Sequence, residues 1–129
     1  MEPKELVPVG IRVFVRDMTS GIVLREIRSM WASEGFSEPS SIETIGGERV
    51  SLYEAYIRQV DWTSHGEVAR ALRVFQETLL EVWNGWSEEY LANRDREFDK
   101  LTRKIEAAGL EVSDKWLIQM PQSLEISAE

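Results

Sequence analysis

The feature that most constrains this chain is an amphipathic pattern running unbroken from Ser64 to Gly85. Val68, Leu72, Phe75, Leu79 and Val82 recur at i, i+4, i+7, i+11 and i+14, with Ala71 beside them and Leu80 and Trp83 widening the stripe near its end. A helix with one apolar stripe is stable only if that stripe is covered, so the rest of the chain must supply packed elements around it. Ser64 followed by Glu67 has capping-box spacing, and Asn84-Gly85 suits a C-cap, which predicts a helix over 65–84. Arg70, Arg73, Gln76, Glu77 and Glu81 fall on the other face, where Arg73 and Glu77 stand at i,i+4 spacing.

The segment before it repeats the signal. Ser51 and Glu54 have capping-box spacing and predict a helix over 51–60, with Leu52, Tyr56 and Val60 on one face and Tyr53 and Ile57 beside them. Asp61-Trp62-Thr63 is the corner between the two helices. Upstream, Val7, Val9, Ile11, Val13 and Val15 alternate with Arg12 and Arg16. This is the period-two pattern of a half-buried strand, with Gly10 marking a bulge and Phe14 as the exception on the polar side.

Thr19 or Ser20 caps a helix over 20–34, whose ridge is Val23, Ile27 and Met30 with Leu24 and Trp31 alongside. Gly35 then takes the left-handed C′ position and Phe36 folds back on the last turn. Residues 37–47 form a Ser-, Pro- and Gly-rich loop, the mobile part of the domain. Its Gly46-Gly47 pair lacks the lysine and preceding strand of a phosphate loop. Ser87-Glu88-Glu89 opens a helix over 88–108 that buries Leu91, Phe98, Leu101, Ile105 and Ala108, with mixed charges elsewhere. Gly109-Leu110 ends it as Gly35-Phe36 ended the earlier one. Residues 110–119 read as a hairpin around Ser113-Asp114-Lys115, lying near the Val7–Val15 strand. The expected architecture is a mainly α α+β domain over residues 1–120, with four helices, a small antiparallel sheet, and a tail or linker over 121–129.

Composition narrows the chemistry. The chain has no cysteine and a single histidine, so disulfides, thiolate nucleophiles and ordinary zinc sites are out of reach. No apolar run approaches the roughly 20 residues that span a bilayer, and the first residues lack a signal peptide's basic and apolar regions. A cytoplasmic protein without membrane contact is expected. The net charge of −8 disfavours non-specific nucleic-acid binding. Residues 1–33 nevertheless carry +1, against −9 on the remainder, so a local basic patch of Arg12, Arg16, Arg25 and Arg28 has to be considered.

Neither the histidine nor the acids suggest a catalytic centre. His65 stands in a helix N-terminus beside Ser64 and Glu67. Three neighbours within one cap do not converge on a pocket as a triad must, so His65 reads as a surface residue of a capping turn. Glu77/Glu81, Glu88-Glu89 and Asp95/Asp99 lie on polar faces, and Glu54 and Asp61 read as capping groups. A hydrolase or nuclease built on acids needs a cleft gathering carboxylates from separate helices. No catalytic, cofactor-binding or metal-ligating residue is assigned, and no cofactor is expected.

The chain holds five tryptophans. Trp31, Trp83 and Trp116 fit the core pattern, while Trp62 and Trp86 stand at corners. A corner tryptophan either pins a turn to the core or, when exposed, serves as an interface hot spot. The candidate partner-binding residues are therefore Tyr53, Trp62, Trp86 and Tyr90.

The run from Gly46 to Val82, with the later Ile105–Ile118 segment, resembles a small N-terminal module of bacterial abortive-infection proteins of the Abi type. The resemblance covers residues 20–118 and rests on the helix end Trp31 to Phe36, the Gly47 to Arg49 segment, the corner Asp61 to Thr63 and the hairpin Gly109 to Ile118. It implies a sensing, regulatory or assembly domain in phage defence with an effector attached after it, and it carries no catalytic residues over. The expected function is thus a non-catalytic interaction module (adaptor, oligomeriser or sensor) that binds a protein partner or itself. The alternative is a winged-helix-like DNA-binding regulator. That needs a basic recognition helix, whereas residues 65–84 offer only Arg70 and Arg73 against Glu67, Glu77 and Glu81.

Overall fold

The computed structural model describes residues 4–120. Five helices and one short hairpin follow in order: α1 Val9–Asp17, a 3-10 turn at Thr19–Gly21, α2 Leu24–Ser33, α3 Glu48–Ile57, α4 His65–Gly85, a second 3-10 turn at Glu88–Tyr90, α5 Leu91–Ala107, β1 Glu111–Val112 and β2 Ile118–Gln119. The fold is α+β and mainly α, as expected. The tail or linker expected over 121–129 lies outside the described residues.

The long amphipathic helix behaves as its pattern requires. The Ser64 hydroxyl accepts from Glu67 N–H, and Val68, Ala71, Leu72, Phe75 and Leu79 are buried together with Val74 and Thr78. α4 touches α1, α2, the Thr19–Gly21 turn and β2, so its stripe is covered from several directions. The capping box is altered in one respect: Glu67 reaches past Ser64 to accept from Asp61 N–H at 3.1 Å, closing the corner. The Asp61 carboxylate accepts from the Thr63 hydroxyl and backbone N–H, and these bonds lower its pKa.

Three expectations are corrected. First, the alternating Val7–Val15 segment is helix from Val9 onward. Its buried apolar residues are Val7, Ile11 and Val15, with Phe14 and Met18 packed beside them, which is helical spacing. Phe14, the exception to the strand pattern, belongs to the helical one. Among the described residues β1 and β2 pair only with each other and this segment joins neither, so tertiary burial overrides its β-branched propensity. Second, α3 starts at Glu48, one turn before the expected cap, and Gly47 is its N-cap. Ser51 lies inside the helix, buried, and its hydroxyl accepts from Ile45 N–H at 3.0 Å, fastening the 37–47 loop. That loop is further held by Arg28–Glu38 and Arg58–Glu43 ion pairs and by Gln59 donating to Ser37 C=O. Third, Arg73 pairs with Glu34 at 2.8 Å across the α2–α4 contact instead of with Glu77. Two lesser differences concern the expected 20–34 helix, which begins at Leu24 after a 3-10 turn, and Ala108, which is exposed.

The core is organised around two aromatic clusters. In the first, Trp31 is stacked on Tyr56 (5.3 Å, 5°) and meets Phe36, Tyr53 and Phe75 edge-on. In the second, Phe98 lies 4.9 Å from Trp83 and 4.6 Å from Trp116, while Arg94 covers Trp83 at 3.7 Å. α4 joins the two by contributing Phe75 to one and Trp83 to the other.

Both glycine helix ends form as expected, with Gly35 at φ 86° and Gly109 at φ 80°. Phe36 N–H returns to Trp31 C=O and Leu110 N–H to Ile105 C=O. Their surroundings differ. A β-carbon on Gly35 would stand 2.9 Å from Arg70 Nη1, which donates to Glu34 C=O, whereas Gly109 faces open space. Gly109→Ala should therefore cost about 1 kcal/mol for the left-handed conformation alone. Gly35→Ala should cost about 2 kcal/mol, because the displaced guanidinium also loses its hydrogen bond. Urea unfolding of the two variants checks the difference, and equal midpoints would show that the Arg70 contact contributes nothing.

A candidate docking groove at the end of α4

Two of the four aromatic candidates are internal. Tyr53 is fully buried, and its hydroxyl lies 2.8 Å from Thr78 Oγ1. Thr78 donates to Val74 C=O at 2.9 Å, so the Tyr53 hydroxyl is the donor in its bond to Thr78. Trp62 is 4% exposed. Its indole N–H donates to Ile57 C=O, its ring lies 5.9 Å from Phe75, and the Arg12 guanidinium covers it at 4.7 Å. Both are anchors, so the expected contact patch loses these members.

Burial pushes the Tyr53 pKa well above the ordinary tyrosine value, and the charge of Glu77 pushes the same way. A group whose pKa is raised on folding stabilises the fold in full below its unfolded pKa, about 10 here, and loses that contribution as pH rises past it. One proton corresponds to a slope of about 1.4 kcal/mol per pH unit. Tyr53→Phe should lower stability at neutral pH by about 1 kcal/mol for the lost bond and should flatten the alkaline decline by about one proton. Urea midpoints measured across the alkaline range check this, and an unchanged slope would contradict it.

Trp86 and Tyr90 remain at the surface. Tyr90 is 50% exposed on the second 3-10 turn, and Trp86 is half-buried. Trp86 follows the last residue of α4, and its extended backbone (φ −72°, ψ 136°) swings the chain out of the helix. Its side chain borders a groove of about 530 Å³ where the end of α1, the Thr19–Gly21 turn, the end of α4 and α5 meet. Met18, Ile22, Val82 and Trp86 supply the apolar lining; Asp17, Glu81 and Glu97 supply the charged lining. Tyr90 is not part of this groove. Four other large apolar side chains are exposed among the described residues: Val9, Val23, Ile42 and Ile45. They belong to other segments.

The carboxylates come from three helices far apart in sequence. Asp17 accepts from Arg16 at 2.9 Å, and Glu97 from Lys100 at 3.3 Å. Glu81 has no ion-pair partner among the described residues. Arg16 also bonds Glu54 at 2.9 Å; burial opposes its charge, but the bonds to Glu54 and Asp17 outweigh that and raise its pKa. Sequence reasoning placed Glu81 on the solvent face of α4 and found no role for Asp17, Met18, Ile22 or Glu97. Nothing local in the sequence links these positions.

The arginines of the suspected basic patch are largely engaged. Arg12 is buried and donates to Glu5, Arg16 is held as above, and Arg28 pairs with Glu38. Arg25 is exposed. On α4, Arg70 and Arg73 both reach Glu34. His65 is the first residue of α4, partly exposed, as its capping position implied. Among the described residues no three His, Cys, Asp or Glu side chains form a group able to hold a metal ion, and no helix is long and apolar enough to cross a membrane. Comparison with known proteins finds no matching protein-family model, no similar curated protein and no similar solved structure.

Proposed function

We propose that this domain is a non-catalytic interaction module that docks a protein partner at the groove beside Trp86. The observation that carries this reading is the half-buried indole at a helix end, bordering a groove with an apolar share of Met18, Ile22 and Val82 that the described residues leave uncovered. Tryptophan in such a setting gives much contact area at little entropic cost and dominates interface energetics. A role in bacterial antiphage defence rests on the resemblance of residues 20–118 to the Abi-type module.

The convergence of Asp17, Glu81 and Glu97 is the one observation that favours an acid-based hydrolase. Acid–base and metal chemistry both require carboxylates close enough to act on one atom in a cleft that excludes water. Here the groove is open, the acids form no metal-holding group, and two of the three already carry a basic partner.

The test is photo-cross-linking in bacterial cells before and after phage infection, with a benzoylphenylalanine residue at Trp86 and, as control, at the exposed Arg103 of α5. A protein adduct at position 86 and none at 103 is expected, and no adduct at 86 overturns the docking reading. An adduct to a protein unconnected with phage or defence keeps the docking function and removes the defence assignment.

A further inference from the structure

The occupant of this groove can be specified further if the docking reading above holds. We infer that it is a basic amphipathic segment of another protein, which seats one bulky aliphatic or aromatic side chain on Met18, Val82 and Trp86 and directs lysine or arginine at Glu81 and Glu97. The lining contains three carboxylates and no lysine, arginine or histidine. Glu81 is without an ion-pair partner among the described residues, while Glu97 is held by one exposed lysine and Asp17 by an arginine shared with Glu54. Glu88 and Glu89, both exposed, follow directly in the chain on Ser87, which lines the groove. An incoming cation therefore meets one unpaired carboxylate, Glu81, beside a second, Glu97, whose exposed lysine it can replace, and rim charges of this kind steer association and set partner choice.

The apolar lining selects for the other half of the ligand. Ile22 is buried, Met18 and Val82 are half-buried, and Met18 adapts its thioether to side chains of different shape. The groove's volume of about 530 Å³ lies in the range that small binding sites occupy. A lysine-rich helix with apolar residues at i, i+3, i+4 and i+7 presents both features on one face. A second copy of the chain is the poorer occupant. Each copy carries −8, and Arg94, Lys100 and Arg103 of α5 are already paired with Asp95, Glu97 and Asp99.

The experiment is a titration of the full chain, followed by amide and indole NMR, with two short synthetic helical peptides. One carries leucines at i, i+3, i+4 and i+7 with lysines elsewhere; its twin carries glutamates in place of the lysines. The lysine peptide is expected to bind with micromolar affinity, to move the Trp86 indole and the Val82 amide, and to weaken severalfold between about 50 and about 300 mM salt. Glu81→Lys, at an exposed position that leaves folding intact, should weaken it roughly tenfold, and the glutamate twin should leave the Trp86 indole unmoved. Equal binding of the twins, or an unchanged affinity in Glu81→Lys, overturns the basic chemistry. The docking reading would survive either result if the cross-link at position 86 persists. Absence of any shift with the lysine peptide overturns the inference, as does a dimer by light scattering that Trp86→Ala abolishes and the lysine peptide does not displace.

Discussion

Trp31→Ala is expected to cost about 3–5 kcal/mol, the largest loss from any single truncation in this domain. The side chain has no exposed surface and touches four other aromatic rings, one by stacking and three edge-on. Removing it deletes apolar burial and leaves a cavity that rigid rings from α3 and α4 cannot close by small shifts. A domain of this size holds about 5–15 kcal/mol in all, so the variant should stand near the edge of unfolding. Trp31→Phe is a sharper probe of the same site. The Trp31 indole Nε1 is buried with no hydrogen-bond partner in the structure. An unpaired buried donor costs about 1–3 kcal/mol, so phenylalanine removes a penalty while leaving a smaller cavity. Its net cost should be no more than about 2 kcal/mol. Urea unfolding measures both. A loss below about 1 kcal/mol in Trp31→Ala would mean that the first cluster does not hold the core.

Phe98→Ala is expected to act differently despite a similar cost of about 3–4 kcal/mol. Phe98 is 1% exposed and packs on both Trp83 and Trp116, which also meet each other at 5.4 Å, so it joins α5 to the contact of α4 with the hairpin. Trp116 sits at φ 63°, a backbone conformation that costs a non-glycine residue about 1–2 kcal/mol. Packing against Trp83 and Phe98, and the turn bonds of Trp116 N–H to Ser113 C=O and of Leu117 N–H to the Ser113 hydroxyl, hold it there. Without the Phe98 ring that strain is offset only by Trp83 and the turn bonds, and the hairpin should detach before the rest unfolds. Hydrogen exchange gives the test. Ser113, Leu117 and Ile118 amides should lose protection in Phe98→Ala while Tyr56 keeps its own relative to the global limit. Uniform loss across both groups would show that the two clusters unfold as one unit.

Elements whose signals are short-range were legible residue by residue. Ser64 starts α4 because a cap and a stripe act within a few residues of each other, whereas Gly85, expected as a left-handed cap, is the last helical residue and the extended Trp86 ends the helix. Gly35 and Gly109 ended their helices because only the local backbone angle matters there. The hairpin at 111–119 followed from two short apolar runs around a turn. By contrast, Ser51 had the right neighbours for a cap and serves instead to hold Ile45, a contact made only after the loop folds back. Arg73 had a suitable acid at i+4 and chose Glu34, which the α2–α4 crossing brings closer.

What the sequence determined by itself was the start of α4, the glycine ends at Gly35 and Gly109, the stripe of α4 and the need for a helical core to cover it, all consequences of backbone geometry and spacing along one segment. Tertiary structure alone decided that the valine-rich start is helix, because Val7, Ile11 and Val15 are buried at helical spacing against core residues remote along the chain. It also decided which aromatics are anchors: Tyr53 and Trp62 face inward and Trp86 borders the groove, though all three belong to similar local patterns. The groove itself arises from residues on α1, α4 and α5 that are remote along the chain, and only the burial of apolar surface, which is indifferent to sequence distance, brings them to one place.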